Sequence, residues 1–400
     1  MRALMAPGDS DLPGAGSPPA GLLPPEKLFL GHWPARERNS TTLEAARRVD
    51  LKPPAFVLNQ SDRDFCDWRD LSSDIHGSFL TKYENVWLFG PNLVFDRSGR
   101  IASEFRDDFR QFVDYVNSDF FREGFPGNKP KFANRGSGLT LDFRRLGEQD
   151  VLPLPDDVFL ATPVEPENWG RWILTVAPKF ARWKAARPRP SLLCHADLAW
   201  QRRFISYFGV EPEALIAHEP GRLYSGRRIE TIEFSHSNFT VSAQERALFL
   251  DLADRERRAH GGRFDKIFLS RRSLAARFPD YRALSNESNL VAALEARGFA
   301  TIEAENFSLA EQIAIFGSAR VVVALSGAAL FNVVFCRPGA RIVTIETDES
   351  HALSHASLIA SLQLVYGVIV GRQDLRDETP VHKRWSLNIH QTVKAISAFL

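Results

Sequence analysis

From Asp265 onward the chain alternates short runs of Val, Ile, Leu and Phe with stretches whose apolar residues recur at helical spacing. Asp265 to Ser270 (DKIFLS) has strand length, Asn289 to Arg297 is amphipathic and stopped by Gly298, and Phe299 to Ile302 is the next strand. Ser308 to Gly317 places Leu309, Ile313 and Phe316 on one helical face, with Ser308 as cap and Glu311 three residues later. The strand Arg320 to Leu325, a helix from about Ala328 to Cys336, the strand Arg341 to Ile345 and the helix Ser354 to Leu362 complete the series. Continuous apolar strands separated by helices require a parallel sheet covered on both faces, so an α/β, doubly wound fold is expected here.

The first half reads less clearly. Glu84 to Ile101 predicts a small β-meander, with Val86 and Leu88 in one strand, Asn92 to Phe95 in the next, and turns at Gly90-Pro91 and Ser98-Gly99. Phe105 to Tyr115 and Asn168 to Lys184 have helical spacing, whereas Asp156 to Ala161 and Ser191 to His195 resemble buried strands. Residues 1–54 are punctuated by Gly, Pro and Ser and predict a flexible tail or surface arm. With 400 residues, 44% of them hydrophobic, the chain can divide its core between two domains, expected at 55–230 and 231–400, with the last helix free to pack back on the first.

Charge and cysteine content exclude several classes. Lys and Arg total 50 against 49 acids, which argues against the basic footprint of a nucleic-acid binder. Cys66, Cys194 and Cys336 lie far apart without a C-x-x-C pair, so they read as buried thiols in a reducing compartment. No apolar stretch is long enough to span a bilayer and no signal-peptide core is present, so a soluble cytoplasmic protein is expected.

The chemistry concentrates in Arg320 to Glu346 (RVVVALSGAALFNVVFCRPGARIVTIE). A buried strand ends at Leu325, and Ser326, Gly327, Ala328 and Ala329 turn the chain into a helix whose first amides suit a phosphate. Small residues there also serve tight packing alone. Ser270, Arg271 and Arg272 follow another strand of the same sheet, where a guanidinium can neutralise a diphosphate, although paired arginines are commonly just solvated.

These segments, taken in order, resemble the family 61 glycosyltransferases, whose bacterial members include capsular polysaccharide biosynthesis proteins. The resemblance rests on S-R-R, then R-x-L-x-N-E at Arg282 to Glu287, R-G-F at Arg297 to Phe299, and S-x-x-E-Q at Ser308 to Gln312. It continues through S-G-A-A-L-F-N-x-x-F-x-x-P-G at Ser326 to Gly339, then Glu346, and more faintly through NWGRW at Asn168 to Trp172. It implies a GT-B architecture, two Rossmann-like domains facing across a cleft with the nucleotide-sugar in the C-terminal one. It also implies inverting, metal-independent transfer to a saccharide or glycolipid acceptor, with no cofactor beyond the donor. Where the family has His before the loop Gly this chain has Ser326, and where it has His in the N-[YF]-x-H-[WF] motif this chain has Arg171.

Within that resemblance Arg271, aided by Gly327 and Ala328, is expected to stabilise the departing diphosphate. Arg272 either joins it or turns back to a carboxylate. Glu346 is placed to accept from ribose hydroxyls, Asn332 to orient the loop, Gln312 to reach the base or cap a neighbouring strand, and Ser326 to donate to phosphate. The general-base candidates are His195 with Asp197 (CHAD) and His236, while Arg171 supplies positive charge. Asp62, Asp64 and Asp67 read as a solvated turn, and His351 and His355, though four residues apart, lack the companions of a metal site. Trp169 and Trp172 belong either to core or to an acceptor-stacking surface. Two readings stand: a transferase, with peripheral membrane association possible, and a family member that binds sugar nucleotide without transfer. A dinucleotide oxidoreductase is disfavoured because no G-x-G-x-x-G follows a strand.

Overall fold

The computed structural model describes residues 27–61, 68, 71–90, 92–104, 131–135, 138–142, 151–219, 222–235, 239–277, 282–347, 349–374, 376–377 and 383–400. The expected helix Phe105 to Tyr115 lies outside them. The described residues form a mixed α/β structure built on two main sheets.

The larger sheet has twelve strands. Its centre is β1 (Ser78–Phe89), β2 (Asp157–Leu160), β3 (Ser191–Cys194), β4 (Leu215–Ala217) and β5 (Leu223–Phe234). Strands β4, β3, β2 and β5 are neighbours in that order and parallel. Beyond β5 the sheet turns antiparallel, through β1 and then the meander strands Leu93–Phe95 and Arg100–Ala102. The apolar runs VFL and LLC were legible as strands because both faces of this sheet are covered. Alternation sorts their side chains: Leu160 and Leu193 join one buried cluster, while Phe159, Leu192 and Cys194 join another on the opposite face.

The smaller sheet has six strands and is wholly parallel. Its strands β6 (Lys266–Leu269), β7 (Ala300–Ile302), β8 (Val321–Leu325), β9 (Arg341–Glu346) and β10 (Val365–Val370) lie in the order β7-β6-β8-β9-β10, and Phe56–Asn59 adds to the β10 edge. This 2-1-3-4-5 order places the topological switch point between β6 and β8.

The longer helices are α1 (Ala177–Ala185), α2 (Ala199–Tyr207), α3 (Ala243–His260), α4 (Glu287–Glu295), α5 (Leu309–Ser318), α6 (Glu349–Ser361) and α7 (Ile389–Phe399), and a short helix, Arg272–Arg277, follows β6. The segment entering α1 is a helical turn at Trp169–Arg171, capped by Asn168 Oδ1 accepting from Gly170 N at 2.9 Å, followed by a π-helical turn at Trp172–Val176.

Two expectations need correction. Residues 1–54 are not a tail throughout: Lys27–His32 and Asn39–Glu44 are strands of the large sheet, and Arg47–Asp50 pairs with Ser72–Ile75. Composition could not show this, because the partners that satisfy these backbones lie far away in sequence. The pinning side chain is Arg38, whose guanidinium donates to the Trp33 carbonyl and, at 2.9 Å, to Glu233. Glu233, wholly buried, also accepts from Thr81 at 2.8 Å and from Tyr83. Second, a boundary at 230/231 falls inside β5, and the chain leaves the large sheet only after Phe234, while Phe56–Asn59 belongs to the small sheet. One apolar cluster moreover joins Trp172, Phe180 and Phe204 with Ile313, Leu330 and Phe335, so the two halves share core. The helix expected from about Ala328 is present as the 3-10 helix Ala328–Phe335.

Candidate functional site

At the switch point, β6 ends beside β8, with Leu269 opposite Ala324. Glu287, buried at the start of α4, shapes the turn that follows β6. Its Oε1 accepts from Ser270 Oγ at 2.6 Å and from Arg271 N at 2.9 Å, and Ser270 Oγ accepts from Arg272 N at 3.2 Å. The Arg271 guanidinium thereby crosses to the end of β8, where it donates to the Ser326 carbonyl. A Cβ at Gly327 would displace the tip of that guanidinium, and the backbone there, with φ +155°, favours glycine. Ala328 is exposed and Gly327 and Ala329 are half-buried, so the turn that opens the 3-10 helix, whose first amides have no intrahelical acceptors, lies partly at the surface beside the Arg271 guanidinium. Arg272 turns back to Glu303 at 3.5 Å.

Behind the loop stands a buried polar group. Glu346, at the end of β9, is wholly buried, and His355 Nδ1 of α6 lies 3.0 and 3.1 Å from its two oxygens. Burial pushes the Glu346 carboxyl up, but the His355 charge and hydrogen bond, with the Ser326 and Thr344 hydroxyls, outweigh it and hold the group below the usual carboxylate range. The Ser326 and Thr344 hydroxyls are buried without a hydrogen-bond partner of their own among the described residues. The expected role of Glu346 in accepting from ribose is thus corrected. Its side chain points into the molecule because the strand that carries it is covered on both faces.

The NWGRW segment packs directly on the loop helix. A Cβ on Gly170 would lie 2.7 Å from the Phe331 ring. Trp169 Nε1 donates to Asn332 Oδ1 at 3.2 Å, Asn332 Nδ2 donates to Gln312 Oε1 at 2.9 Å, and Gln312 Nε2 donates to the Ala304 and Phe307 carbonyls at 2.9 and 3.1 Å. Asn332 and Gln312 therefore tie the loop helix to the segment after β7, and their amides are used internally. Trp172 is core, packed edge-on against Trp200, Phe204 and Phe180. Arg171 is buried, 3.6 Å from Glu165 and 4.9 Å above the Phe239 ring, which meets Phe331 edge-on, as Phe331 meets His355. A continuous line of contacts thus joins Arg171 to Glu346.

His195 does not belong to that line. It follows Cys194 with the parity of Leu193 and turns to the opposite face of the large sheet, where its ring lies 4.6 Å from that of His218, itself 5.3 Å from Tyr224. The His195 Nε2 and both ring nitrogens of His218 are buried without hydrogen-bond partners. Burial lowers His195 to about 4, and burial with the neighbouring ring lowers His218 as well, so both are neutral near pH 7. Asp197 is exposed, and partial desolvation with the Glu219 charge raises its carboxyl. The candidates His236, Asp62, Asp64 and Asp67, and the His351 side chain, lie outside the described residues. Among the described residues no three His, Cys, Asp or Glu side chains converge as metal ligands.

Sequence reasoning gave no part to two residues that hold the site. Glu287 sets the turn that aims Arg271; its signal was an acid at a helix start, directly after Asn286. Arg246 of α3 grips the far end of the loop helix, donating to the Val334 and Cys336 carbonyls at 2.7 and 2.8 Å, and no local pattern announces it. No curated protein matches this chain. The segment from Trp169, which packs against the loop helix, to Val343, in β9, spans nearly all of the geometry above, and residues 169–343 match the family model Glycosyltransferase 61, which indicates a glycosyltransferase.

Proposed function

We propose that the protein is an inverting glycosyltransferase that moves a sugar from a nucleotide-sugar donor to a saccharide or lipid-linked acceptor in the synthesis of cell-surface polysaccharide. The single observation that carries this reading is the placement of Arg271 over Gly327 at the switch point, where α/β sheets receive phosphorylated ligands. The donor diphosphate sits against the exposed amides that open the loop helix. As the bond to the anomeric carbon breaks, Arg271 and those amides meet the charge gathering on the leaving diphosphate, so the reaction proceeds without a metal ion. The acceptor hydroxyl loses its proton to a base, for which Asp197 and His236 remain the candidates. The large sheet with the NWGRW segment forms the acceptor side of a GT-B arrangement. The enzyme works in the cytoplasm, at the inner face of the membrane; among the described residues no helix is long and apolar enough to cross it.

A second reading is favoured by one observation: His195 faces away from the loop. The chain then binds sugar nucleotide without transferring the sugar. Both readings are tested by titrating UDP, GDP, ADP and CDP into the protein and its Arg271→Ala variant, then assaying hydrolysis of the matching nucleotide-sugar. The transferase reading expects one diphosphate to bind, about 10- to 100-fold weaker in the variant, as loss of a charge-assisted contact implies, together with slow sugar release. Binding without release, with every acceptor class supplied, supports the second reading. Absence of binding by all four defeats both.

A further inference from the structure

The first turn of α3 is one place where the two halves of the molecule are fastened to one another, and carboxylates do much of the fastening. The connection from β5 to α3 passes through Thr240, and Ser242 caps the helix: its Oγ accepts from Glu245 N at 3.3 Å while Glu245 Oε2 accepts from Ser242 N at 2.8 Å. The same Glu245 carboxylate holds His76, with Nε2 at 3.0 Å from Oε1. His76 lies between the strand Ser72–Ile75 and β1, on the large-sheet side of the connection. Glu44, at the end of the strand Asn39–Glu44, reaches the same turn and accepts from the Ala243 and Gln244 amides at 3.0 and 3.1 Å. Gly77 N donates to Ser235 Oγ at 2.9 Å and Ser235 N to the Gly77 carbonyl at 2.9 Å, closing the strap.

His76 Nε2 faces the Glu245 carboxylate and donates to it, while Nδ1 lies 3.2 Å from Thr240 Oγ1, a hydroxyl that also accepts from His76 N at 3.3 Å and lies 3.4 Å from the Asp74 carbonyl. Protonation of the ring turns the His76–Glu245 hydrogen bond into an ion pair. Among the described residues the carboxylates of Glu245 on α3 and of Glu44 on the neighbouring strand act on it, and Phe234 covers the ring edge-on. Although burial opposes the charge, these two carboxylates raise His76 above its ordinary value.

Arg246, the residue after Glu245, is the one that grips the Val334 and Cys336 carbonyls. We propose that His76 is a positioning residue: by anchoring Glu245 it fixes the first turn of α3 and, through Arg246, the 3-10 helix that opens at Gly327, so loss of the His76 proton loosens the phosphate loop. The anchor is strongest while the ring carries its proton and the carboxylates are ionised, and it weakens as pH rises through the raised value of His76. The part that concerns donor binding rests on the reading of the loop proposed above; the mechanical part does not.

The experiment compares wild type with His76→Gln by hydrogen exchange of the amides in residues 328–336, corrected for intrinsic rates, between about pH 6 and about pH 9. Wild-type protection is expected to fall about tenfold across that range, the scale of an ordinary coupling, and the variant to be low and flat. Parallel curves overturn the proposal. Wild type alone supplies a second arm: the His76 titration, followed by NMR, is expected to move upward when a saturating nucleoside diphosphate is added, since linkage is reciprocal. An unmoved titration overturns the coupling even if His76→Gln fails to fold. Should none of UDP, GDP, ADP or CDP bind, the functional reading falls while the exchange comparison still decides the anchor.

Discussion

Acid should weaken this protein through His195 and His218, and the loss can be worked from their surroundings. An unfolded chain carries a histidine with a value near 6.5, whereas burial in the fold lowers His195 to about 4. The folded value is depressed, so the unfolded chain binds more protons below about pH 6.5, and stability present at neutral pH is lost as pH falls toward about 4. For His195 alone the linkage relation gives about 2 kcal/mol lost between pH 7 and pH 5, and about 3 kcal/mol once both states are protonated. His218, wholly buried, shifts in the same direction, and its ring lies 4.6 Å from that of His195, so charging one opposes charging the other. Urea unfolding of wild type and of His195→Leu at pH 7 and pH 5 measures the difference. The variant should lose about 2 kcal/mol less than wild type over that interval. An equal loss in both proteins would mean that His195 is hydrated or paired in solution, and would refute the account of this cluster.

Other outcomes follow from single contacts. Lys179 and Glu104 form a buried ion pair at 2.7 Å, so Lys179→Met should cost about 3–5 kcal/mol in denaturant unfolding, and adding Glu104→Gln should recover part of it. Gly170→Ala should lower stability by about 1–3 kcal/mol by overpacking against Phe331, and because Phe331 belongs to the loop helix it should also weaken nucleoside diphosphate binding, read by calorimetry.

How far the site was legible follows from the range of each interaction. The turns after β6 and β8 were visible because a strand run, its small residues and its arginines are neighbours in sequence. Arg272 turning to Glu303, and the internal amides of Gln312 and Asn332, were weighed beforehand as alternatives to ligand contact, since local sequence supplies both options and only packing selects between them. The reach of Glu346 was misjudged for a related reason. A strand-end acid is exposed or buried according to what covers it, and the covering imidazole, His355, comes from the next helix.

The sequence by itself determined four of the six strands of the parallel sheet, the helices between them, and the loop at Ser326 to Ala329, because hydrophobic period, caps and turn residues act over a few positions. Tertiary structure alone decided that Lys27–His32 and Asn39–Glu44 are strands, that His195 faces away from the loop, and that Arg38, Glu44, His76 and Arg246 bind distant parts of the chain together. Those outcomes depend on buried charges finding counter-charges and carbonyls finding donors at separations of 30 to 200 residues. No local pattern encodes such a partner, because the energy that selects it exists only after the sheets have met.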